Sequence, residues 1–222
     1  MSISELKTLG LTAAVLTLGT LAEAATYTFT ETDFLPGSMI AEAAVGPVGG
    51  QATAVSGGTY GVTTTTNSTT YTGHFLSGAS LTPLGESIVS VDFQIDYNVQ
   101  NRQHAFGLII EQGGSYFINY QLTGFTGGWK TLDVDGLLSA NIPGIGAGGV
   151  ANGTFADFTD GADTLRFGFF TANSLSSGAS VIYDNIEIIV TTAPSAVPLP
   201  AGGALLLLGL GGLGLGVRRR GV

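Results

Sequence analysis

Three aspartates in one short segment could bind a divalent cation. Asp157, Asp160 and Asp163 are spaced three residues apart around Gly161. Calcium takes about six to eight oxygen ligands, mainly from carboxylates and backbone carbonyls, so the segment is a candidate calcium site. Its spacing does not match an EF-hand loop. The alternative is that these carboxylates are exposed charges that keep an acidic surface in solution.

Aromatic side chains beside amides could bind a carbohydrate, because the apolar face of a sugar ring can stack on an aromatic ring. Tyr116 and Tyr120 share one face of a predicted strand, and Trp129, the only tryptophan, follows. One face of a half-buried strand must pack against the core. Either the two tyrosines or Phe117 and Asn119 therefore point inward. Core packing is the competing interpretation of Trp129 and of both tyrosines.

Residue types needed for several catalytic mechanisms are missing or isolated. The chain has no cysteine, which excludes thiolate catalysis, disulfides and cysteine-ligated metals. His74 and His104 are its only histidines. Neither has an evident Ser and Asp partner, so a surface or strand-end position is expected for both. No carboxylate pair has the spacing of the jelly-roll glycosidases. The sequence predicts a protein without catalytic activity.

Charge is unevenly distributed between residues 25 and 196. Three cationic side chains, Arg102, Lys130 and Arg166, stand against fourteen carboxylates, a formal net charge of −11. Such a domain repels phosphate backbones, so nucleic acid is not expected as a partner.

These candidate residues lie in a region whose pattern predicts an all-β fold. Thr, Val, Ile, Phe and Tyr dominate the candidate strands, with Gly and Ser between them. The odd positions from 89 to 97 are apolar and the even positions between them are polar, which predicts a half-buried strand. Eight or nine short strands predict an antiparallel β-sandwich or jelly roll over residues 25–190.

Turn residues predict how some strands connect. Asn67 and Ser68 are typical of a hairpin tip between residues 59–66 and 69–75, and Gly113 and Gly114 of another. Residues 136–161, rich in Gly, Ala and Pro, predict a long loop.

The end of the predicted domain resembles known folds. Residues 163–170 and 181–188, the latter with an aromatic-Asp-Asn-aliphatic run, are similar to the closing strands of jelly-roll domains of the carbohydrate-binding and laminin-G-like type. In those domains the aspartate of the last strand often helps to bind a structural calcium ion, a role that the resemblance implies for Asp184. Because terminal strands of jelly rolls commonly pair, Glu31 or Asp33 of the first strand is its expected partner.

The last 26 residues predict handling at a membrane. Val197-Pro198-Leu199-Pro200-Ala201 opens an uncharged run that extends to residue 217, and Arg218, Arg219 and Arg220 follow. At ~1.5 Å per residue, a helix over residues 201–217 covers roughly 25 Å, enough for a thin bilayer. The three arginines are expected on the cytoplasmic side.

This tail resembles the VPLPA variant of the PEP-CTERM sorting signal of exported Gram-negative bacterial proteins. The resemblance implies that an exosortase-type membrane enzyme recognises residues 197–201. An ordinary C-terminal anchor behind a proline linker is the alternative. The two interpretations differ in whether the tail is removed.

The N-terminus predicts export. Lys7 precedes the apolar residues 9–21, and Ala22 and Ala24 occupy the −3 and −1 positions of a cleavage site. This pattern is typical of a signal peptide for the Sec machinery, cleaved after Ala24.

The predicted layout is a signal peptide, a β-sandwich, a linker with the sorting motif, a transmembrane helix and a basic tail: 1–24, 25–190, 191–200, 201–217 and 218–222. We expect a non-catalytic exported protein that passes through an inner-membrane intermediate. Its expected destination is the cell surface or the extracellular polysaccharide matrix. The alternative is a calcium-dependent carbohydrate-binding module at the cell surface.

Overall fold

The structure, a computed structural model, describes residues 24–45, 50–67, 70–173 and 178–195. The strands in these residues are β1 (Thr26–Glu31), β2 (Met39–Val45), β3 (Gln51–Ser56), β4 (Thr59–Thr64), β5 (Thr70–Leu81), β6 (Glu86–Asn101), β7 (His104–Gln112), β8 (Ser115–Thr123), β9 (Lys130–Leu137), β10 (Pro143–Ile145), β11 (Ala151–Phe155), β12 (Leu165–Asn173) and β13 (Ser180–Pro194). Single turns of 3-10 helix at Ser139–Asn141 and Ala147–Gly149 flank β10.

Both predicted membrane-directed ends lie outside the described residues. Residues 1–23, which hold nearly all of the predicted signal peptide, and residues 196–222, which hold the sorting motif, predicted helix and arginines, are not described. Within the described ranges, no helix is long and apolar enough to cross a membrane.

The strands form two antiparallel sheets packed as a β-sandwich, which confirms the predicted fold class. The six-stranded sheet has the order β3-β4-β13-β6-β9, with β1 paired to the remaining length of β13. The seven-stranded sheet has the order β11-β10-β8-β7-β12-β5-β2. The first and last strands are therefore neighbours, as the sequence predicted.

Alternating apolar residues from both sheets fill the space between them. In β6, Val91, Phe93 and Ile95 are almost fully buried and belong to the main core. Phe167 and Phe169 of β12 face them from the other sheet and belong to the same core. Burying each such side chain contributes about 1.5–3 kcal/mol, so this period of two is the main stabilising feature.

The alternation in β6 is interrupted at its start. The sequence predicts that Val89 points inward, but Val89 is 43% exposed and Ile88 is only 5% exposed. The register against β13 shifts by one residue between Thr191 and Thr192, a β-bulge that inverts which side chain faces the core. A period-two pattern cannot reveal such a bulge, because an apolar residue stands at both positions.

The predicted hairpin at Asn67 and Ser68 is wrong, and the one at Gly113 and Gly114 is right. β4 pairs with β3 and β13 in the six-stranded sheet, whereas β5 pairs with β2 and β12 in the seven-stranded sheet. The threonine-rich stretch thus crosses between sheets. β7 and β8 pair over their whole length around Gly113 and Gly114, which both have positive φ.

The predicted long loop at 136–161 contains two short strands that extend the seven-stranded sheet. β10 pairs with β8 through Gly144 and Phe117, and β11 pairs with β10. A Cβ at Gly144 would lie 2.3 Å from Thr154 Oγ1 and 2.7 Å from Asn152 Oδ1, so both side chains would have to move to admit it. The glycines that made this stretch resemble a loop are partly a packing requirement of the hairpin.

Both ends of the described chain meet at one end of the sandwich. Thr192 N donates to Ala25 O at 2.8 Å, and Ser195 N donates to Gly85 O at 3.0 Å. Because of these bonds β13 extends to Pro194, four residues past the predicted domain limit at residue 190. We call the opposite end, formed by the connections 101–104 and 123–130, the distal end.

Candidate functional site

The segment between β8 and β9 passes over the distal end from one sheet to the other. Thr126 holds it in place: its Oγ1 accepts from Val99 N at 3.1 Å and donates to Gly128 O at 2.7 Å. Gly127 has a positive φ of 66°, a conformation that glycine adopts without steric cost. The chain is therefore folded back onto the end of β6, with its larger side chains turned outward.

Four large apolar side chains in the last part of β8 and in the segment that follows it are exposed. They are Tyr120 (59%), Leu122 (60%), Phe125 (68%) and Trp129 (48%). Ring faces exposed to water can stack on the apolar face of a pyranose. Sequence reasoning identified Tyr120 and Trp129 but missed Leu122 and Phe125. Their signal was the combination of large apolar residues with Gly124, Gly127 and Gly128, which leave little bulk to cover them.

Amide side chains lie at the same end of the sandwich. Asn101 Nδ2 donates to Gly178 O at 3.0 Å, and Asn101 Oδ1 accepts from Ser180 N at 2.9 Å. Gln100, next to the last residue of β6, and Gln103, between β6 and β7, are exposed there. Exposed amides can both donate to and accept from hydroxyl groups, which suits a polyhydroxylated ligand.

Tyr116, the third predicted carbohydrate-binding residue, lies apart from Trp129. It points to the outer face of the seven-stranded sheet, while Phe117 faces the main core, which decides between the two orientations that the sequence left open. The Tyr116 hydroxyl donates to Glu42 Oε2 at 3.2 Å. Burial, and then the Glu42 charge, raise the pKa of Tyr116.

An ion-pair cluster occupies the same outer face. Arg166 Nη2 lies 2.8 Å from Glu42 Oε1, and Arg166 Nη1 lies 3.6 Å from Glu111 Oε2. The guanidinium also stacks on Phe75, with its Cζ 4.5 Å from the ring centroid. Tyr116 packs against the same ring at 6.2 Å. These contacts give Tyr116 a packing role.

The loop carboxylates predicted to bind calcium bond to different parts of the loop. Asp157 Oδ1 accepts from Thr159 N at 2.9 Å, and the two Thr159 hydrogen bonds lower the pKa of Asp157. Asp160 Oδ1 accepts from Gly85 N at 2.7 Å. Asp163 contributes its backbone oxygen to Gln112 Nε2 at 3.1 Å.

The terminal-strand carboxylates are not gathered either. Asp184 lies opposite Asp96 in the β13–β6 pairing, and its Oδ1 accepts from Asn185 N at 2.9 Å. Glu31 Oε1 accepts from Asp33 N at 3.3 Å. No group of three or more His, Asp or Glu side chains able to hold a metal ion occurs in the described ranges. Calcium binding stays a prediction from the sequence alone.

An acidic groove of about 170 Å³ lies on the outer face of the six-stranded sheet. Its carboxylates are Asp92, Asp133, Asp135 and Glu187. Asp92 is already bonded, because its Oδ1 accepts from Gly136 N at 2.6 Å. Asp92 and Asp96 lie on the polar, outward face of β6, as their alternation predicted.

Both histidines are fully buried, which contradicts the expected surface position for both; His104 begins β7 and so does lie at a strand end, whereas His74 lies within β5. His74 packs between Tyr60 and Phe169. Burial lowers the pKa of His74 to about 3 and that of His104 to about 4, the latter opposed by a weaker effect of the Ala179 backbone. Both are therefore neutral core residues at ordinary pH.

A chain of buried hydrogen bonds holds His74 in place between the two sheets. The Tyr60 hydroxyl donates to Nδ1 at 3.1 Å, and Nε2 donates to Thr171 Oγ1 at 3.2 Å. Thr171 Oγ1 donates to Gln51 Oε1, and Gln51 Nε2 returns a bond to Thr171 O at 3.2 Å. Every polar atom in this chain has a partner, as buried polar groups require.

Comparison with known proteins finds likeness only at the level of solved structures. No family model matches the chain, and no curated protein matches it. A family 29 carbohydrate-binding module aligns with a TM-score of 0.43 and 11% identity, over 78% of this chain and 91% of that one. A family 11 module from Clostridium thermocellum, solved with a β-1,3-1,4-mixed-linked tetrasaccharide, aligns with a TM-score of 0.39 and 14% identity, over 77% and 91%.

A protein of unknown function from Shewanella oneidensis MR-1 aligns similarly, with a TM-score of 0.43 and 9% identity, over 81% of this chain and 92% of that one. At these identities and TM-scores the likeness is remote.

Proposed function

We propose that the chain is a non-catalytic exported protein whose β-sandwich binds polysaccharide at its distal end. The observation that carries this proposal is the exposure of Phe125 and Trp129 on the connection between β8 and β9, with Tyr120 and Leu122 exposed in the last four residues of β8. Isolated exposed apolar residues need no explanation, but several large ones exposed within one short stretch are typical of a binding surface. Rings flanked by amides fit a sugar better than a purely apolar ligand.

The direction in which the distal end faces supports this proposal. Ala25 and Ser195 are held together at the opposite end of the sandwich. If the chain is exported by Sec and retained through its VPLPA-type tail, both membrane-directed segments leave from that side. The distal end is then turned away from the membrane, where extracellular polysaccharide is found. An exosortase-type enzyme acts on the tail without contacting this surface.

Export is tested by the mature N-terminus. Mass spectrometry of the protein purified from its own cells is expected to find Ala25 or Thr26 as the first residue. The adjacent strand β1 begins at Thr26, so cleavage after Ala24 leaves the sheet intact. A chain that begins at Met1 in the membrane fraction would contradict the proposed signal peptide.

Carbohydrate binding is tested by removing the exposed tryptophan. We expect Trp129→Ala to weaken binding of the full chain to soluble polysaccharides by roughly tenfold or more, the loss typical of a central aromatic anchor. Affinity electrophoresis through gels that contain each polysaccharide measures the change.

Phe155→Ala is the matched control for this experiment. Phe155 on β11 is 49% exposed, almost the same as Trp129 at 48%, but it lies outside the distal end. Removing it should leave retardation unchanged. Equal loss in both variants, or retardation of neither the parent nor the variants by any polysaccharide, would refute binding at the distal end.

A further inference from the structure

We propose that the polysaccharide taken at the distal end is acidic, an inference that rests on the proposed function and specifies its ligand class. The starting observation is the position of the few cationic groups. Arg102 and Lys130, two of the three cationic side chains between residues 25 and 196, both lie at the distal end and are exposed. The third, Arg166, is held between Glu42 and Glu111 on another face.

Carboxylates are absent from the stretches that build this end. Residues 97–110 and 112–132 contain no Asp or Glu, although the domain carries fourteen. The opposite end holds Glu86 and the three aspartates of the loop that contacts Gln112 and Gly85. Charge is therefore segregated along the sandwich, with the distal end as its positive region.

The carboxylate nearest to Lys130 along the sheet does not neutralise it. Asp96 lies opposite Thr131, the residue after Lys130, and successive side chains of a strand point to opposite faces. Both oxygens of Asp96 are engaged, with Thr131 Oγ1 at 2.6 Å and with Asn185 Nδ2 at 2.9 Å. Within the described part of the chain, Lys130 forms no ion pair.

Cations on the same end of the sandwich as exposed rings match the chemistry of a uronate-containing chain. The rings stack on the apolar faces of the sugars, while Arg102 and Lys130 attract the carboxylates along the polymer. The rest of the domain is strongly acidic and repels a polyanion, so an acidic chain is directed to this end alone. A neutral polysaccharide would gain nothing from the segregation of charge.

The test compares two polymers that differ only in charge. Polygalacturonate and its fully methyl-esterified form have the same backbone. Binding of each to the full chain, purified in mild detergent, is measured by affinity electrophoresis at low salt and at higher salt. We expect retardation by polygalacturonate alone, falling as salt rises, because exposed charges are screened within about 10 Å at 0.1 M.

Variants locate the effect on the two cations. Lys130→Gln and Arg102→Gln should each weaken polygalacturonate binding roughly two- to fivefold, the range for exposed charge pairs. Lys130→Arg and Arg102→Lys keep the charge and should retain binding. Thermal unfolding of each variant checks that the domain is intact. If the Gln variants are stable and bind like the parent, the cations do not take part and the inference fails.

The other outcomes separate this inference from the proposed function. Equal binding of both polymers would overturn the acidic ligand and leave carbohydrate binding in place. A second outcome is that neither polymer binds but a neutral glucan retards the chain, and that Trp129→Ala abolishes this retardation. This outcome would also overturn the acidic ligand and leave carbohydrate binding in place. Binding of phosphatidylglycerol vesicles in place of every polysaccharide would overturn both and make the distal end a lipid-binding surface.

Discussion

Lowering the pH from 6.5 to 4.5 is expected to reduce the free energy of unfolding of the sandwich by about 4 kcal/mol. The cause is the pair of buried histidines, whose folded-state pKa values are about 3 for His74 and about 4 for His104. An unfolded histidine has a pKa of about 6.5, so the unfolded chain binds more protons between these values. Protonation of the unfolded chain at these two histidines therefore has little effect above pH 6.5. Below pH 6.5 it lowers the free energy of unfolding progressively, until the pH reaches the folded-state pKa values.

The slope of the free energy of unfolding against pH identifies the titrating groups responsible. Near pH 5 almost two protons are taken up on unfolding, which corresponds to about 2.7 kcal/mol per pH unit. Urea unfolding at several pH values measures it. The lowered pKa of Asp157 also makes the free energy of unfolding fall with pH, but only below about pH 4. It therefore adds little to the pH dependence between pH 4.5 and 6.5.

Single substitutions should each remove about half of this pH dependence. His74→Gln and His104→Asn remove one titrating group each, so the slope near pH 5 is expected to fall to about one proton in either variant. Both variants will be less stable at pH 7, because each leaves a gap or an unsatisfied partner in the core. A parent protein whose stability is constant between pH 4.5 and 6.5 would show that its histidines can be protonated without unfolding.

Gly168→Ala is expected to destabilise the domain by about 3–5 kcal/mol, near the upper end for single substitutions. Gly168 lies in β12 where the register against β5 shifts. A Cβ there would stand 2.1 Å from His74 O and 2.7 Å from Phe75 Cα. Both are backbone atoms, so the clash can be relieved only by separating two central strands of the seven-stranded sheet.

Gly61→Ala is the matched control for this substitution. Gly61 also lies within a strand and has ordinary room, since a Cβ there would be 3.5 Å from Ala54 O. Its replacement should change stability by less than about 1 kcal/mol. Urea unfolding of the two variants at pH 7 measures the difference. Equal stability of both would mean that the strands can separate at little cost, and that the close approach at Gly168 is unimportant.

The period of two in the sequence predicted the fold class, because a half-buried strand needs an apolar residue at every second position. It correctly placed Val91, Phe93 and Ile95 in the core and Asp92 and Asp96 outside. It failed at Ile88 and Val89, where a bulge decides which neighbour turns inward. It also failed at 136–161, where glycines that serve packing were interpreted as loop residues.

The sequence predicted only some residues of the candidate site. Tyr120 and Trp129 stood out as aromatic residues, but Arg102, Leu122 and Phe125 gained a role only once the strand ends were brought together. Tyr116 shares the outer face of β8 with Ile118 and Tyr120, as the sequence predicted, but its ring and hydroxyl are held by Phe75 and Glu42. Its partners come from strands far away in the sequence, which spacing along one strand cannot reveal.

Composition and local pattern by themselves determined that residues 25–190 are all-β, that the domain is acidic, and that no cysteine chemistry is available. They also led to the prediction of export and sorting through residues 197–201. Only the tertiary structure decided that His74 and His104 are buried, that no three of the six carboxylates proposed for calcium come together in the described ranges, and that Arg102 and Lys130 lie at the end of the sandwich where Phe125 and Trp129 are exposed. The physical reason is that residue types and their periodicity act locally, whereas burial and charge neighbourhood depend on which distant strands pair.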